Sequence, residues 1–403
     1  MTSRHLFVHP LLNRDESWAG LVLSVTGFGA GSEFGDAAVR LRRQARETRV
    51  GRSLPWFVPL EANSCDEDNS PWPLDETVFV THEPENTSSR EDWSVPAEAV
   101  RFAGGQIGVV IHPLRALPSN DQKWDFVILE ASQARTLPPI KLMVLATQSK
   151  LILTGVKTRQ DFEWAFANQA AMTDAEFLLH RSKEPNKPDV LRMHVLQLLS
   201  LLTQDADTQE LEEIFRKEPK LSYSLLRLVN SAALSLNTPI NSFSHAITLL
   251  GRRQLQRWLQ LLVYANHGDD NSGNPLLQWA AVRGKLMELA LPCIAPTPQL
   301  AITPDYAFMA GIFSLLDVLL NLPMANVLAQ LPIPTAVKLA LTERAGPLGE
   351  LLSAIEAAEL RKFNLASQIL GDLGISSADY AQAQLTALDW GYKVAMQADQ
   401  DQS

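Results

Sequence analysis

Short apolar runs alternate with polar loops and helical stretches along the first part of the chain, up to about residue 180. Six of these runs are apolar on both faces and rich in β-branched or aromatic residues: Leu21–Val25, Trp56–Leu60, Thr77–Thr81, Ile107–Ile111, Phe126–Leu129 and Leu151–Leu153. Strands of this kind, separated by helices, are typical of a parallel sheet wrapped in helices. The pattern therefore predicts a (β/α) barrel.

The rhythm changes at residues 181–189, a charged stretch that contains two prolines. Beyond it, apolar residues recur at the spacing of a helix, beginning with Leu191, Val195, Leu198, Leu199 and Leu202. We therefore predict an α/β domain over residues 1–185 and an all-α domain over residues 186–403.

Charge and cysteine content narrow the function classes. The formal net charge of −10 is divided evenly between the two predicted domains, so neither has the basic surplus of a nucleic-acid binder. Cys65 and Cys293 lie far apart and outside any Cys/His cluster, a pattern typical of the reducing cytoplasm. The longest apolar stretch, Phe308–Met324, is too short and too polar for a spanning helix. We expect a cytoplasmic protein without a membrane span or a nucleic-acid partner.

Two local patterns have a functional and a structural interpretation. The glycine-rich residues 27–31 follow a strand, as a phosphate-binding loop would, but Ser32 stands at the next position of that motif. We favour a flexible turn. Arg42, Arg46 and Arg49 share one helical face without interleaved aromatic residues. This spacing favours a solvated barrel helix over a nucleic-acid site.

His5 and His9 are the histidines with a local ligand spacing. On a helix they could share a metal ion, but residues 6–8 before Pro10 have the pattern of a strand. On a strand the two rings would stand about 13 Å apart, too far to share one ion. We expect no metal site here.

The second domain resembles the HDOD family in one contiguous signature. The residues that carry the resemblance are Leu225–Ala233, with its Asn230-Ser231 pair, the Pro239-Ile240 turn, and Ala246–Gly251. HDOD domains are relatives of HD phosphohydrolases that lack the metal ligands, and here Ser314 and Leu315 stand where the His-Asp pair would be. The resemblance implies an interaction domain, and its candidate surface comprises Arg227, Asn230, Ser231, Gly251, Arg252 and Arg253.

The first domain resembles the EAL family, the barrel of cyclic di-GMP phosphodiesterases. His9–Arg14 is similar to the family's opening strand and turn, and Leu151–Thr158 is similar to a late strand. The family's metal and catalytic positions fall at Val22, Pro59, Ile111, His112, Ile128 and Thr154. Only Glu130 nearby offers a carboxylate. The resemblance therefore implies a degenerate barrel that has lost its metal ligands.

These patterns together predict a non-enzymatic signalling or adaptor protein. Its two domains would lack metal and cofactor and would act through protein partners. Two alternatives stay open, an effector that binds cyclic di-GMP or another nucleotide weakly without hydrolysis, and a residual cyclic di-GMP phosphodiesterase. A DNA regulator is disfavoured by the acidic charge of both halves.

Overall fold

The computed structural model describes residues 5–26, 32–60, 72–82, 98–112, 124–181, 195–200, 225, 243–264, 275–295, 302–329, 331 and 333–399. The chain forms two compact units. The barrel unit comprises Met1–His180 together with two C-terminal segments, Ala358–Ser367 and Tyr380–Leu385. The helical unit comprises Arg181–Ala357, Gln368–Asp379 and Thr386–Ser403.

Eight strands form a closed barrel in the order of the sequence. They are β1 Leu6–Leu12, β2 Trp18–Val25, β3 Trp56–Pro59, β4 Thr77–His82, β5 Gln106–Val110, β6 Phe126–Glu130, β7 Lys150–Thr154 and β8 Ala170–Thr173. Strands β2 to β8 pair in parallel, as the apolar runs predict, whereas β1 is antiparallel to β2. Strand β1 meets β8 at one pair, Leu12 with Thr173. The predicted barrel is confirmed.

A layer of apolar side chains fills the barrel interior. It is built from Leu11, Phe57, Val78, Phe126 and Ile152. Partly buried hydrophobic residues pack against this layer: Val22, Val80, Ile128 and Met172. Side chains alternate between the two faces of a strand, so this layer fixes which positions of each strand face inward.

The described helices of the barrel unit lie between and after the strands. They are α1 Ser32–Ala45, α2 Arg49–Ser53, α3 Ala131–Ala134, α4 Pro139–Gln148 and α5 Arg159–Ala167, followed by a 3₁₀ turn at Glu176–Leu179. Helix α5 begins where the Thr158 side chain accepts a hydrogen bond from the Asp161 backbone N–H.

The expectation of a solvated arginine face on α1 is wrong for Arg42. Its side chain is 1% exposed. The guanidinium pairs with Glu76, donates to the Gly51 carbonyl, and lies 6.0 Å from the ring centroid of Trp56 and 5.5 Å from that of Trp72. Because a planar cation can stack on aromatic faces and still keep an anionic partner, it tolerates this burial.

Helices alone make up the described part of the helical unit, as predicted. They are α6 Phe243–Leu262, α7 Pro275–Ala290, α8 Pro304–Phe313, α9 Leu316–Leu320, α10 Met324–Leu328, α11 Thr335–Glu343, α12 Gly346–Glu359, α13 Phe363–Asp372 and α14 Ser377–Asp399, with a 3₁₀ turn at Leu291–Cys293. The C-terminal parts of this series also supply the two segments of the barrel unit. None of the described helices is long and apolar enough to cross a membrane.

Two glycine features shape the helical unit. Helix α6 is kinked at Gly251, whose φ of 72° and ψ of 165° belong to a region that is essentially restricted to glycine. Helices α7 and α8 approach closely at Gly284 and Gly311, and a Cβ added to Gly311 would lie 2.6 Å from the Arg283 carbonyl oxygen. The kink explains why the Leu-Leu-Gly signature ends in glycine, because Gly251 adopts a backbone conformation that other residues avoid.

Candidate functional sites in the two units

Four of the six positions aligned with the EAL ligands lie on the inward face of the barrel strands. Val22 and Ile128 are partly buried hydrophobic residues packed against the interior layer. Pro59 and Thr154 end β3 and β7 two residues after the interior-facing Phe57 and Ile152, so they face inward at the carboxyl ends of these strands. The inward surface at these four positions is hydrocarbon except for one hydroxyl.

The aligned pair at β5 lies just beyond that strand. Ile111 is buried, and its backbone N–H donates to the Ile128 carbonyl at 3.0 Å. His112 is half-buried. Neither position carries a carboxylate.

Glu130 is the last residue of β6 and faces inward by the same register. Its carboxylate accepts a hydrogen bond from the Ser132 hydroxyl at 2.8 Å. It also borders Gly155, where an added Cβ would lie 3.1 Å from the Glu130 Cγ. Gly155 has a φ of 70°, so this position combines a left-handed backbone with little space for a side chain.

Asp174 follows β8 directly and is a site residue that the sequence pattern did not identify. Its carboxylate is 6% exposed and accepts hydrogen bonds from the backbone N–H groups of Gly155 and Val156, the latter at 3.0 Å. The Arg361 guanidinium lies 3.4 Å from the same carboxylate. Burial raises the pKa of Asp174, while Arg361 and the two amides act in the opposite direction. The carboxylate therefore fixes the turn after β7.

His9 lies on the inward face of β1, two residues before Leu11. Its ring stacks on Phe363 at a centroid distance of 5.7 Å. Burial, with the nearby charge of Arg361, lowers the pKa of His9 to about 3. The imidazole is therefore neutral at neutral pH, and its buried Nδ1 has no hydrogen-bond partner among the described residues.

The described residues do not fit a pair of divalent cations. Such cations take several oxygen ligands, mainly carboxylates. In the described part of the chain, no three His, Cys, Asp or Glu side chains are grouped so that they could hold a metal. The two carboxylates identified at this end, Glu130 and Asp174, already accept hydrogen bonds from protein groups.

In the helical unit, a buried arginine contacts the position aligned with the HD pair. Ser314 caps the C-terminus of α8; its hydroxyl donates to the Gly311 carbonyl at 2.6 Å and accepts from Arg283 Nη1 at 2.7 Å. Arg283 is 3% exposed and lies 3.6 Å from Glu356, which also pairs with Arg344 at 2.8 Å. Leu315 is buried.

Asp317 lies near the charges of Arg283 and Arg344. In the part of the chain that the structure describes, it does not belong to any group of three His, Cys, Asp or Glu side chains that could hold a metal ion. Burial raises its pKa, and the charges of Arg181, Arg283 and Arg344 act in the opposite direction. The sequence reasoning did not identify Arg283. The signal that could have found it is a lone arginine between Val282 and Leu286 on a helix that is apolar on most of its surface.

The candidate HDOD surface is described only in part. Arg227, Asn230 and Ser231 lie outside the described residues, as do the glycines at 27–31, and the Arg252 side chain is not described. Arg253 is 68% exposed and pairs with Asp305 at 2.5 Å. Arg257 joins the same group, with Asp305 and Glu288 each at 2.6 Å. This three-helix charge network was not predicted.

Comparisons with known proteins agree with this organisation. Residues 185–278 match the HDOD domain family. The chain is 30% identical over 218 residues to the cyclic di-GMP phosphodiesterase CdgJ of Vibrio cholerae, covering 52% of this chain and 49% of that protein. The chain thus spans about half the length of this curated relative.

Two solved structures are each similar to about half of the chain. A putative phosphohydrolase from Shewanella amazonensis covers 54% of this chain and 95% of its own, with 18% identity and a TM-score of 0.36. The EAL domain of Mycobacterium smegmatis DcpA covers 42% of this chain and 89% of its own, with 14% identity and a TM-score of 0.35. The closed barrel and the HDOD match confirm the predicted order of a barrel followed by a helical HDOD region.

Proposed function

We propose that this chain, an EAL-like barrel joined to an HDOD domain, is a non-enzymatic adaptor in a cytoplasmic signalling pathway. The observation that carries the proposal is the lack of metal-binding side chains at four inward-facing positions of β2, β3, β6 and β7. The resemblance aligns Val22, Pro59, Ile128 and Thr154 with metal and catalytic residues of the family, and all four face the barrel interior. Hydrocarbon groups cannot ligate Mg²⁺ or Mn²⁺, and one hydroxyl does not replace a set of carboxylates.

The chemistry of phosphodiester cleavage supports the same conclusion. A two-metal mechanism needs carboxylates to hold both cations and a base or metal to activate water. Asp174 is buried against two backbone amides and Arg361, so binding a cation there would break existing contacts. His9 has a pKa of about 3 and sits against Phe363, which makes it a poor base toward a ligand at the strand ends.

Two exposed surfaces support binding of a protein partner. On α4, Ile140, Met143 and Val144 share one face and are 71%, 56% and 46% exposed. A contiguous exposed apolar surface is typical of protein interaction sites. In the HDOD domain, Arg253 is the described member of the candidate surface with a largely exposed charge.

The catalytic half of the proposal is tested by incubating the purified chain with cyclic di-GMP and Mg²⁺ or Mn²⁺. We expect no product above a control without protein, and metal-dependent turnover would overturn the proposal. The adaptor half is tested by cross-linking capture with the full chain. Met143→Glu and Arg253→Glu should each be compared with Lys338→Glu, a change on the separate helix α11. Capture that is insensitive to both variants would contradict these surfaces.

A second candidate is a nucleotide-binding effector without hydrolysis. It is favoured by the 30% identity over 218 residues to CdgJ, whose name describes a cyclic di-GMP phosphodiesterase. Calorimetry with cyclic di-GMP separates the two candidates, because micromolar binding without turnover would favour the effector.

A further inference from the structure

Two C-terminal segments of the barrel unit pack against β1 and form a contact that we call the latch. The latch consists of Arg361, Phe363 and Ser367 from one segment and Tyr380 and Gln384 from the other. The contacts join residues that are far apart in the sequence. Ser367 lies 362 positions after His5, Gln384 lies 376 positions after Val8, and Arg361 lies 187 positions after Asp174. The barrel is therefore completed by chain that follows the HDOD match.

The latch replaces part of a missing strand pairing. Strand β1 pairs with β8 only at Leu12 and Thr173. The His5 carbonyl faces β2, where it accepts from the Thr26 backbone N–H. By alternation, Val8 and Pro10 direct their backbone groups toward the other side. There the Val8 N–H donates to Gln384 Oε1 at 2.8 Å, and Pro10 has no N–H to satisfy.

The inward-facing side chains of β1 are covered by the same segments. Phe363 stacks on Phe7 with ring centroids 5.2 Å apart, and it also stacks on His9. Tyr380 contacts Phe7 edge-on at 5.7 Å. His5 Nδ1 is hydrogen-bonded to the Ser367 hydroxyl at 2.8 Å in a buried position.

The position of these contacts relates the latch to the strand ends. Because β1 is antiparallel to β2, its first residues lie at the carboxyl ends of the parallel strands. Asp174 lies at the carboxyl end of β8, where Arg361 contacts it. Phe363 and Arg361 together therefore span the side of the barrel mouth between β1 and β8.

We propose that the latch is an autoinhibitory contact that keeps a phosphate-bearing ligand away from the carboxyl ends of the strands until Arg361 and Phe363 leave. The side chains of the two latch segments differ in how deeply they are buried. Arg361 is partly exposed and holds Asp174 at 3.4 Å, whereas Tyr380 is buried. We infer that the segment around Arg361 and Phe363 opens first. This inference goes beyond the adaptor proposal and does not depend on it.

The first test measures opening in the unaltered protein by hydrogen exchange with mass spectrometry. Local opening exposes amides at a lower free energy than global unfolding does. We expect peptides from 358–367 to exchange at least ~10-fold faster than peptides from β1 and from β4 to β7. Exchange of all these peptides at one common rate would overturn the proposal, because the latch would then open only when the barrel unfolds.

The second test measures binding of cyclic di-GMP as the probe. If the latched state dominates, apparent affinity is reduced by the fraction of open molecules, so removing the latch raises it. We expect the double variant Arg361→Ala/Phe363→Ala to bind at least ~10-fold more tightly than the wild type. The control Lys362→Ala, an exposed residue between the two, should bind like the wild type.

A folded double variant that binds no more tightly than the control would contradict autoinhibition. Circular dichroism establishes whether the variant is folded, and the exchange experiment decides the question if it is not. Hydrolysis of cyclic di-GMP by any of these proteins would overturn the adaptor proposal but leave the latch standing. The two failures are therefore distinguishable.

Discussion

Replacing Arg283 with methionine tests whether its buried guanidinium, which donates a hydrogen bond to Ser314, stabilises the helical unit. Arg283 is 3% exposed and donates to the Ser314 hydroxyl at 2.7 Å. Methionine has a similar length and no charge, so the change removes the cation without leaving a large cavity. We expect the variant to be less stable than the wild type.

The magnitude follows from what each partner keeps. The variant loses a charge-assisted hydrogen bond, which contributes about 1.5–3 kcal/mol. Ser314 still donates to the Gly311 carbonyl, and Glu356 still pairs with Arg344, so neither is left without a partner. Removing a buried cation also relieves its desolvation, which offsets part of the loss. We therefore expect a net destabilisation of about 1–2 kcal/mol.

Thermal denaturation of the full chain measures this effect in the transition of the helical unit. For a unit of this size, the expected loss corresponds to a Tm lowered by roughly 2–8 °C. Lys285→Met is the matched control, because Lys285 lies on the same helix but is 24% exposed and makes a surface pair with Glu288 at 3.0 Å. The control should change stability by less than about 1 kcal/mol. A Tm for Arg283→Met at or above that of the control would refute the reasoning and show that desolvation dominates.

Three further predictions address two glycines and the half-buried His9. Gly311→Ala should lower unfolding free energy by about 1–3 kcal/mol or more, measured by urea denaturation, because its Cβ would meet the Arg283 carbonyl at 2.6 Å. Gly251→Ala should cost about 1–3 kcal/mol through its φ of 72° alone, since nothing lies within 4 Å of the added Cβ. An unchanged urea midpoint would refute either one. As the pH falls from 6.5 toward 3, the unfolded chain protonates His9 before the folded chain does, so the folded state loses stability. His9→Phe should remove that contribution, with a slope of up to about 1.4 kcal/mol per pH unit, and identical pH profiles for both proteins would contradict it.

Much of the fold could be predicted from local patterns. The six apolar runs correspond to β2 to β7, because strands buried on both faces need continuous apolar sequence. Strand β8, Ala170–Thr173, was not among them; its four residues lack a run of β-branched or aromatic side chains. The HDOD assignment rested on a contiguous signature, and the family match at 185–278 bears it out.

The fold alone does not test the predictions about function. Val22, Pro59, Ile128 and Thr154 lie at inward-facing positions of their strands, whereas their correspondence to EAL ligands, the loss of catalysis and the adaptor role are proposals. The boundary near residue 185 is likewise a prediction. The structure adds that two segments after residue 357 belong to the barrel unit.

The amino-acid sequence by itself determined the residue types at the strand ends and the periodicity of the elements. Both depend on neighbours in the chain, since alternation and helical spacing repeat over a few residues. The tertiary structure alone decided that Arg361 meets Asp174, 187 positions away, and that Gln384 meets the backbone of β1. Such pairs arise when folding brings distant segments together, and no local pattern encodes them. It also decided that Arg42 and Arg283 are buried, because a cation's burial depends on the partners that the fold places around it.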